Sequence, residues 1–106
     1  MVLQGDVLPA EAVRGAQSEA SWQAEVERLA ALRGWICWHD HDSRRNDAGF
    51  PDLLLIRERV VWIECKSRGG RLSLHQVGFL AALRDAGQEV YLMRPSDLDK
   101  LLRVLA

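Results

Sequence analysis

Gly49-Phe50-Pro51-Asp52-Leu53-Leu54-Leu55-Ile56, then Arg57-Glu58-Arg59, then Val60-Val61-Trp62-Ile63-Glu64-Cys65-Lys66 is the stretch on which the fold turns. Two apolar runs, residues 52–56 and 60–66, flank a polar segment short enough to close a hairpin. With Arg57-Glu58-Arg59 as the loop, Ile56 pairs with Val60 and the register sets Asp52 opposite Glu64. Directly opposed residues of an antiparallel pair lie about 5 Å apart at Cβ, within reach of one shared cation. Strand side chains alternate, so Lys66 projects from the same face as Glu64. Two carboxylates this close destabilise a fold unless something neutralises them, and a divalent metal is the simplest neutraliser. The hairpin therefore reads as a metal site with a cation beside it.

Working outward, Ser18 is a plausible N-cap for a helix that ends near Arg33, with Gly34 as its stop and Trp22, Val26, Leu29 and Ala30 as its apolar stripe. Trp35-Ile36-Cys37-Trp38-His39 follows as a strand, and Asp40 to Gly49 as a loop long enough to suggest function. After the hairpin, Ser73 and Gln76 have capping-box spacing. They open a helix with Val77, Leu80, Ala81 and Arg84 on one stripe and Gly87 as its stop. Val90-Tyr91-Leu92-Met93 is a fourth strand, Pro95 ends it, and Ser96 caps a last helix through Leu105. Residues 1–17 show no convincing period and are expected to form a poorly ordered leader to a domain over 18–106. The expected architecture is α/β, order α-β-β-β-α-β-α, with a mixed four-stranded sheet flanked by helices. A helical crossover makes its third and fourth strands parallel.

With 106 residues, 48% of them hydrophobic, the chain has material for one domain and one core. No apolar run approaches the roughly eighteen residues that span a bilayer, and the start lacks the basic and apolar regions of a secretion signal. Cys37 and Cys65 fall in expected strands, where a small buried hydrophobe is the ordinary role. The expected compartment is the cytoplasm. The net charge of −1 is unevenly spread. Residues 1–27 sum to −4, whereas residues 44–71 hold Arg44, Arg45, Arg57, Arg59, Lys66, Arg68 and Arg71 and sum to +3. Half of all basic residues thus surround the proposed metal site, which favours a polyanionic partner over a merely solvated face.

The element order, Pro51-Asp52, Glu64-x-Lys66 and a following helix with an early Gln76 together resemble the PD-(D/E)XK nuclease superfamily of restriction-endonuclease-like fold. The closer resemblance is to the VRR-NUC family (virus-type replication–repair nucleases), especially its small standalone phage and bacterial members. Asp42-Ser43-Arg44-Arg45 before Gly49-Phe50-Pro51-Asp52, Gly70-Arg71-Leu72-Ser73 before Gln76, and Tyr91 before Arg94-Pro95-Ser96-Asp97 carry it, over about residues 18–105. The resemblance implies a DNA phosphodiesterase dependent on Mg²⁺ or Mn²⁺. It implies that Asp52, Glu64 and the Cys65 backbone carbonyl hold the metal, and that Lys66 orients water and stabilises charge at the phosphate. A glutamate of the first helix and Gln76 would complete the site. It further implies a homodimer that cuts branched DNA of the Holliday-junction type.

Each residue has a plainer reading beside this one. Asp52 could cap a turn, Glu64 could be a strand-end surface acid, and Lys66 could only balance them; clustering of all three favours the site. Among Glu19, Glu25 and Glu27, Glu19 falls within the arc of Trp22, Val26 and Ala30 and matches the family position, where it could reach the metal through water. A helix N-terminal acid favoured by the dipole is its alternative. Gln76 could simply close the capping box with Ser73. Arg44 and Arg45, with Arg68 and Arg71, are candidates for gripping phosphates. Cys37, His39 and His41 share a strand face, but three ligands without a second cluster make a poor zinc site. Most of the four tryptophans, Trp22, Trp35, Trp38 and Trp62, are expected in the core or at a dimer surface rather than as base-stacking platforms. Competing functions are a nuclease of the same fold acting on flap, nicked or linear DNA, and a catalytically idle DNA-binding module.

Overall fold

A computed structural model of the chain describes residues 16–39 and 48–106. Helix α1 (Glu19–Leu32) leads to strands β1 (Ile36–His39), β2 (Leu53–Ile56) and β3 (Val60–Cys65). Helix α2 (Leu74–Asp85), strand β4 (Glu89–Met93), a 3₁₀ turn (Pro95–Asp97) and helix α3 (Leu98–Leu105) complete the order α-β-β-β-α-β-α. The sheet runs β1-β2-β3-β4, antiparallel except for the parallel β3–β4 pair made by the α2 crossover.

Local chemistry sets the boundaries. The Ser18 hydroxyl accepts from the Ser21 amide to start α1, and Gly34 takes φ 81° just beyond its end. That left-handed conformation is open to glycine without a Cβ penalty. Ser73 and Gln76 form the reciprocal capping box of α2, and Gly87, at φ 84°, lies just past its end. The last helix differs from expectation. Pro95 opens a 3₁₀ turn, and Ser96 does not cap α3. Instead the Asp97 carboxylate turns back to accept the Arg94 amide at 2.7 Å. An Asp at the third turn position satisfies that amide through a charged acceptor, which outcompetes a serine hydroxyl.

Helix α1 packs on β1, β3 and α3, and buries Trp22, Val26 and Ala30 against Leu53, Leu55, Val61, Ile63, Cys65, Met93, Leu101 and Leu105. The indoles of Trp22 and Trp35 are buried but not stranded: they donate to the Met93 and Leu105 carbonyls at 2.9 and 3.1 Å. The opposite sheet face, by alternation, carries Trp38, Leu54 and Trp62 in one register row and Ile36, Ile56 and Val60 in the next. Phe50 meets Trp38, Trp62 and Phe79 there edge-on, at centroid distances of 5.8, 5.7 and 5.4 Å. Helix α2 packs against β4 and has no fully buried residue. Its stripe of Val77, Leu80, Ala81 and Arg84 lines an open groove of about 290 Å³ with Val90 and Leu92. Ile36, Trp38, Ile56 and Val60 remain 38–68% exposed.

No helix among the described residues is long and apolar enough to cross a membrane. The long loop from Asp40, with His41, Arg44 and Arg45, and all but two residues of the leader lie outside the described residues.

Candidate active site

The hairpin register carries Asp52 to Glu64. Ile56 faces Val60 and Leu53 faces Ile63, so the next pair in the antiparallel ladder is Asp52 and Glu64. At that pair the side chains take over from the ladder. The Cys65 amide donates to Asp52 Oδ2 at 2.8 Å, and the Asp52 amide donates to Glu64 Oε1 at 3.2 Å. Each carboxylate thereby uses one oxygen to bind the opposite strand.

Glu64 is completely buried, and its second oxygen, Oε2, has no hydrogen-bond partner among the described residues. A buried carboxylate oxygen without a donor is an expensive arrangement, because the charged form loses its water and receives nothing in return. Burial is the main force raising its pKa to about 9; side-chain contact with the Asp52 carboxyl and that residue's charge add to it, while nearby Lys66 and the hydrogen bond from the Asp52 amide oppose it only in part. Asp52 and Glu64 thus form a close carboxyl pair in which burial favours the neutral form of Glu64.

Glu19 and Lys66 arrive from other elements. Lys66 extends β3 through its amide bond to the Met93 carbonyl at 3.1 Å, and its side chain is only 12% exposed. Its Nζ lies 3.6 Å from Glu19 Oε1, on the first residue of α1. The structure thus separates the three helix acids. Glu25 accepts from the Gln17 amide at 2.8 Å and Glu27 lies 3.6 Å from His39 Nε2, while Glu19 alone of the three pairs with Lys66. Gln76 is placed by its capping box: Oε1 accepts the Ser73 amide at 2.8 Å, so that oxygen is engaged locally while the amide nitrogen takes no part in the box.

Two features that the sequence reading quoted as motifs without giving them a role hold this assembly in place. A Cβ on Gly49 would lie 2.5 Å from the His75 carbonyl oxygen, so the chain passes α2 where no side chain fits. Phe50 then enters its aromatic cluster and Pro51 is buried, which aims Asp52 from a rigid approach. Gly-Phe-Pro before the acid was the available signal. The second is Arg94, whose Nη1 donates to the Ser67 and Gly70 carbonyls, each at 2.7 Å, and more weakly to Arg68 at 3.4 Å. No local pattern foretells those bonds.

The basic segment divides. Arg68 and Arg71 are exposed just past Lys66. Arg57 and Arg59 sit at the far end of the hairpin, where they bind carbonyls at the ends of α1 and α3. Arg57 donates to Arg33, Leu105 and Ala106, and Arg59 to Val104 and to the Glu89 carboxylate. Both guanidinium groups also lie over the Trp35 ring, 4.5 and 5.1 Å from its centroid. They complement the negative end of a helix rather than enlarging a polyanion site.

Among the described residues, no group of three or more His, Cys, Asp or Glu side chains is arranged to hold a metal ion. Of the three zinc candidates, His41 lies outside the described residues; burial, then the Glu27 charge, push the Cys37 thiol up to about 11. Asp52, Glu64 and the Cys65 carbonyl offer a different donor set, all oxygen and sparse. Mg²⁺ accepts such a set, since it retains several waters and binds through one or two carboxylates. The orphaned Oε2 of Glu64 makes that fit specific to this pair.

The family model of the VRR-NUC domain matches residues 4–97, which takes in most of the leader and all four strands. No curated protein matches the chain.

Proposed function

The chain belongs to the VRR-NUC domain family and is therefore a nuclease domain, and from that premise we propose a Mg²⁺- or Mn²⁺-dependent endonuclease that cuts branched DNA as a homodimer. One observation carries the metal dependence: a fully buried Glu64 with an unpartnered oxygen beside Asp52. Asp52, Glu64 and the Cys65 carbonyl would hold the ion, with Glu19 reaching it through water. When bound, the metal would lower the pKa of a water and polarise the scissile phosphate.

The chain's own groups supply the rest. Lys66, nearly buried and adjacent to Glu64 on the strand, places a cation where negative charge develops on the phosphate. Glu19 holds that ammonium in position at 3.6 Å. Arg68 and Arg71 are exposed alongside for contacts to the DNA backbone, with Arg44 and Arg45 as further candidates from the loop before Gly49. Backbone contacts carry no base information, which suits recognition of DNA shape over sequence.

The homodimer is supported by the exposed apolar row of Ile36, Ile56 and Val60 with Trp38 beside it. Contiguous apolar surface of this kind marks association sites. A two-fold axis would give two active sites and paired cuts in a symmetric junction.

The test is cleavage of labelled four-way junction, flap, nicked and linear duplex DNA with Mg²⁺, with Mn²⁺ and with EDTA, alongside folded Asp52→Ala and Lys66→Ala variants. Metal-dependent paired cuts in the junction, lost in both variants, are expected. Preference for another substrate would overturn the branched-DNA assignment alone. Undiminished cutting in EDTA would overturn the metal dependence.

A further inference from the structure

Resting on the nuclease reading, we propose that Arg94 is a positioning residue that locks the turn after Lys66, so that Lys66, Arg68 and Arg71 meet one phosphate backbone together. The segment from Lys66 to Leu72 leaves the sheet carrying three cations and two adjacent glycines. Like charges repel and glycine adds backbone freedom, so such a segment orders only against an external restraint.

Arg94 is that restraint. It follows β4 directly and is itself fixed: its amide donates to Asp97 Oδ2 at 2.7 Å, its carbonyl accepts the Asp97 amide at 2.8 Å, and Pro95 beside it is buried. One residue earlier, Met93 accepts the Lys66 amide at 3.1 Å, so the base of Arg94 and the base of the turn share a single strand pair. From there Nη1 reaches the Ser67 and Gly70 carbonyls at 2.7 Å each, bracketing a turn that the Gly70 amide closes onto Ser67 at 3.2 Å.

The turn in turn bears on Lys66. A Cβ at Gly70 would sit 3.3 Å from Lys66 Cδ and 3.1 Å from Ser67 Oγ, so the turn folds back against the lysine stem. Moving Gly70 moves the wall against which Lys66 packs. Arginine suits this role because a rigid guanidinium can bracket two carbonyls that a flexible ammonium would hold only loosely. Among the described residues no carboxylate pairs with it, so its charge also adds to the positive field beside the site.

The experiment compares Arg94→Ala and Arg94→Lys with the wild type in two assays. The first is limited trypsinolysis, scored at Arg68 and Arg71, which reads the turn without reference to activity. The second is steady-state cleavage of the preferred DNA. Both variants are first matched for folded fraction by circular dichroism. Release of the turn predicts at least fivefold faster proteolysis in Arg94→Ala, with kcat down tenfold or more and KM raised. Arg94→Lys keeps the charge but loses the bracket on the Ser67 and Gly70 carbonyls, so positioning predicts that its kcat falls and its KM rises as in Arg94→Ala. Adding Arg94→Ala to a variant lacking Arg68 and Arg71 should raise KM no further. Unchanged proteolysis, or an Arg94→Lys enzyme equal to wild type, overturns the proposal. A wild type that cuts no DNA overturns the nuclease reading instead, while the proteolysis still decides whether Arg94 holds the turn.

Discussion

Replacing Glu64 by glutamine should stabilise the metal-free protein while abolishing cleavage. The carboxyl's pKa rises from 4.5 to about 9 in the folded chain, chiefly through burial. Between those values the folded state holds a proton that the unfolded state has released. Stability therefore falls as pH rises through this window, the reverse of a salt-bridged acid. pH 7 lies about 2.5 units above the unfolded pKa and below the folded one, a penalty of about 3 kcal/mol; at pH 5 the penalty is below about 1 kcal/mol. Glutamine presents the same shape, keeps Oε1 as acceptor for the Asp52 amide and carries no ionisation penalty. For a domain of this size, about 3 kcal/mol corresponds to a melting-temperature gain on the order of 10 °C. Thermal denaturation followed by circular dichroism in EDTA at pH 5, 6, 7 and 8 measures it. The gap between Glu64→Gln and wild type should open steadily with pH, and saturating Mg²⁺ or Mn²⁺ should close it by stabilising the wild type alone. A variant no more stable than wild type at pH 8 would refute the argument, since Glu64 would then carry no uncompensated burial.

Further outcomes follow from the same geometry. Gly49→Ala puts a methyl 2.5 Å from the His75 carbonyl oxygen; it should destabilise by about 2 kcal/mol in urea denaturation and reduce kcat by displacing Asp52. Glu19→Gln removes the acid that pairs with Lys66, so metal affinity, read by titration against cleavage, should fall about tenfold or more with the fold intact. Trp38→Asp combined with Ile36→Asp charges the exposed sheet face; light scattering should show a monomer, while the circular dichroism spectrum stays that of the folded domain.

The comparison of sequence with structure follows the range of the forces involved. The Asp52–Glu64 pairing was legible because it depends on strand periodicity and a three-residue turn, both local. The Ser18 and Ser73 caps were legible for the same reason, and their loss at Ser96 came from a competing acid two residues from Pro95. Glu19 was separable from Glu25 and Glu27 by helical angle, since a helix converts spacing into direction. Gln76 was not separable: its capping box forms whether or not the residue also serves the site.

What chain order could not convey is where distant backbone groups would lie. Arg57 and Arg59 counted toward a basic patch until α3 brought carbonyls against them from nearly fifty residues away. Arg94 acquired its partners at Ser67 and Gly70 only through the α2 crossover that sets β4 beside β3. The lack of a hydrogen-bond partner for Glu64 Oε2 among the described residues belongs to the same class, because solvent exclusion is a property of every element packed around an atom. Pattern and spacing specify which residues can face one another; burial, and the cost it places on a charged Glu64, exist only once the layers have closed.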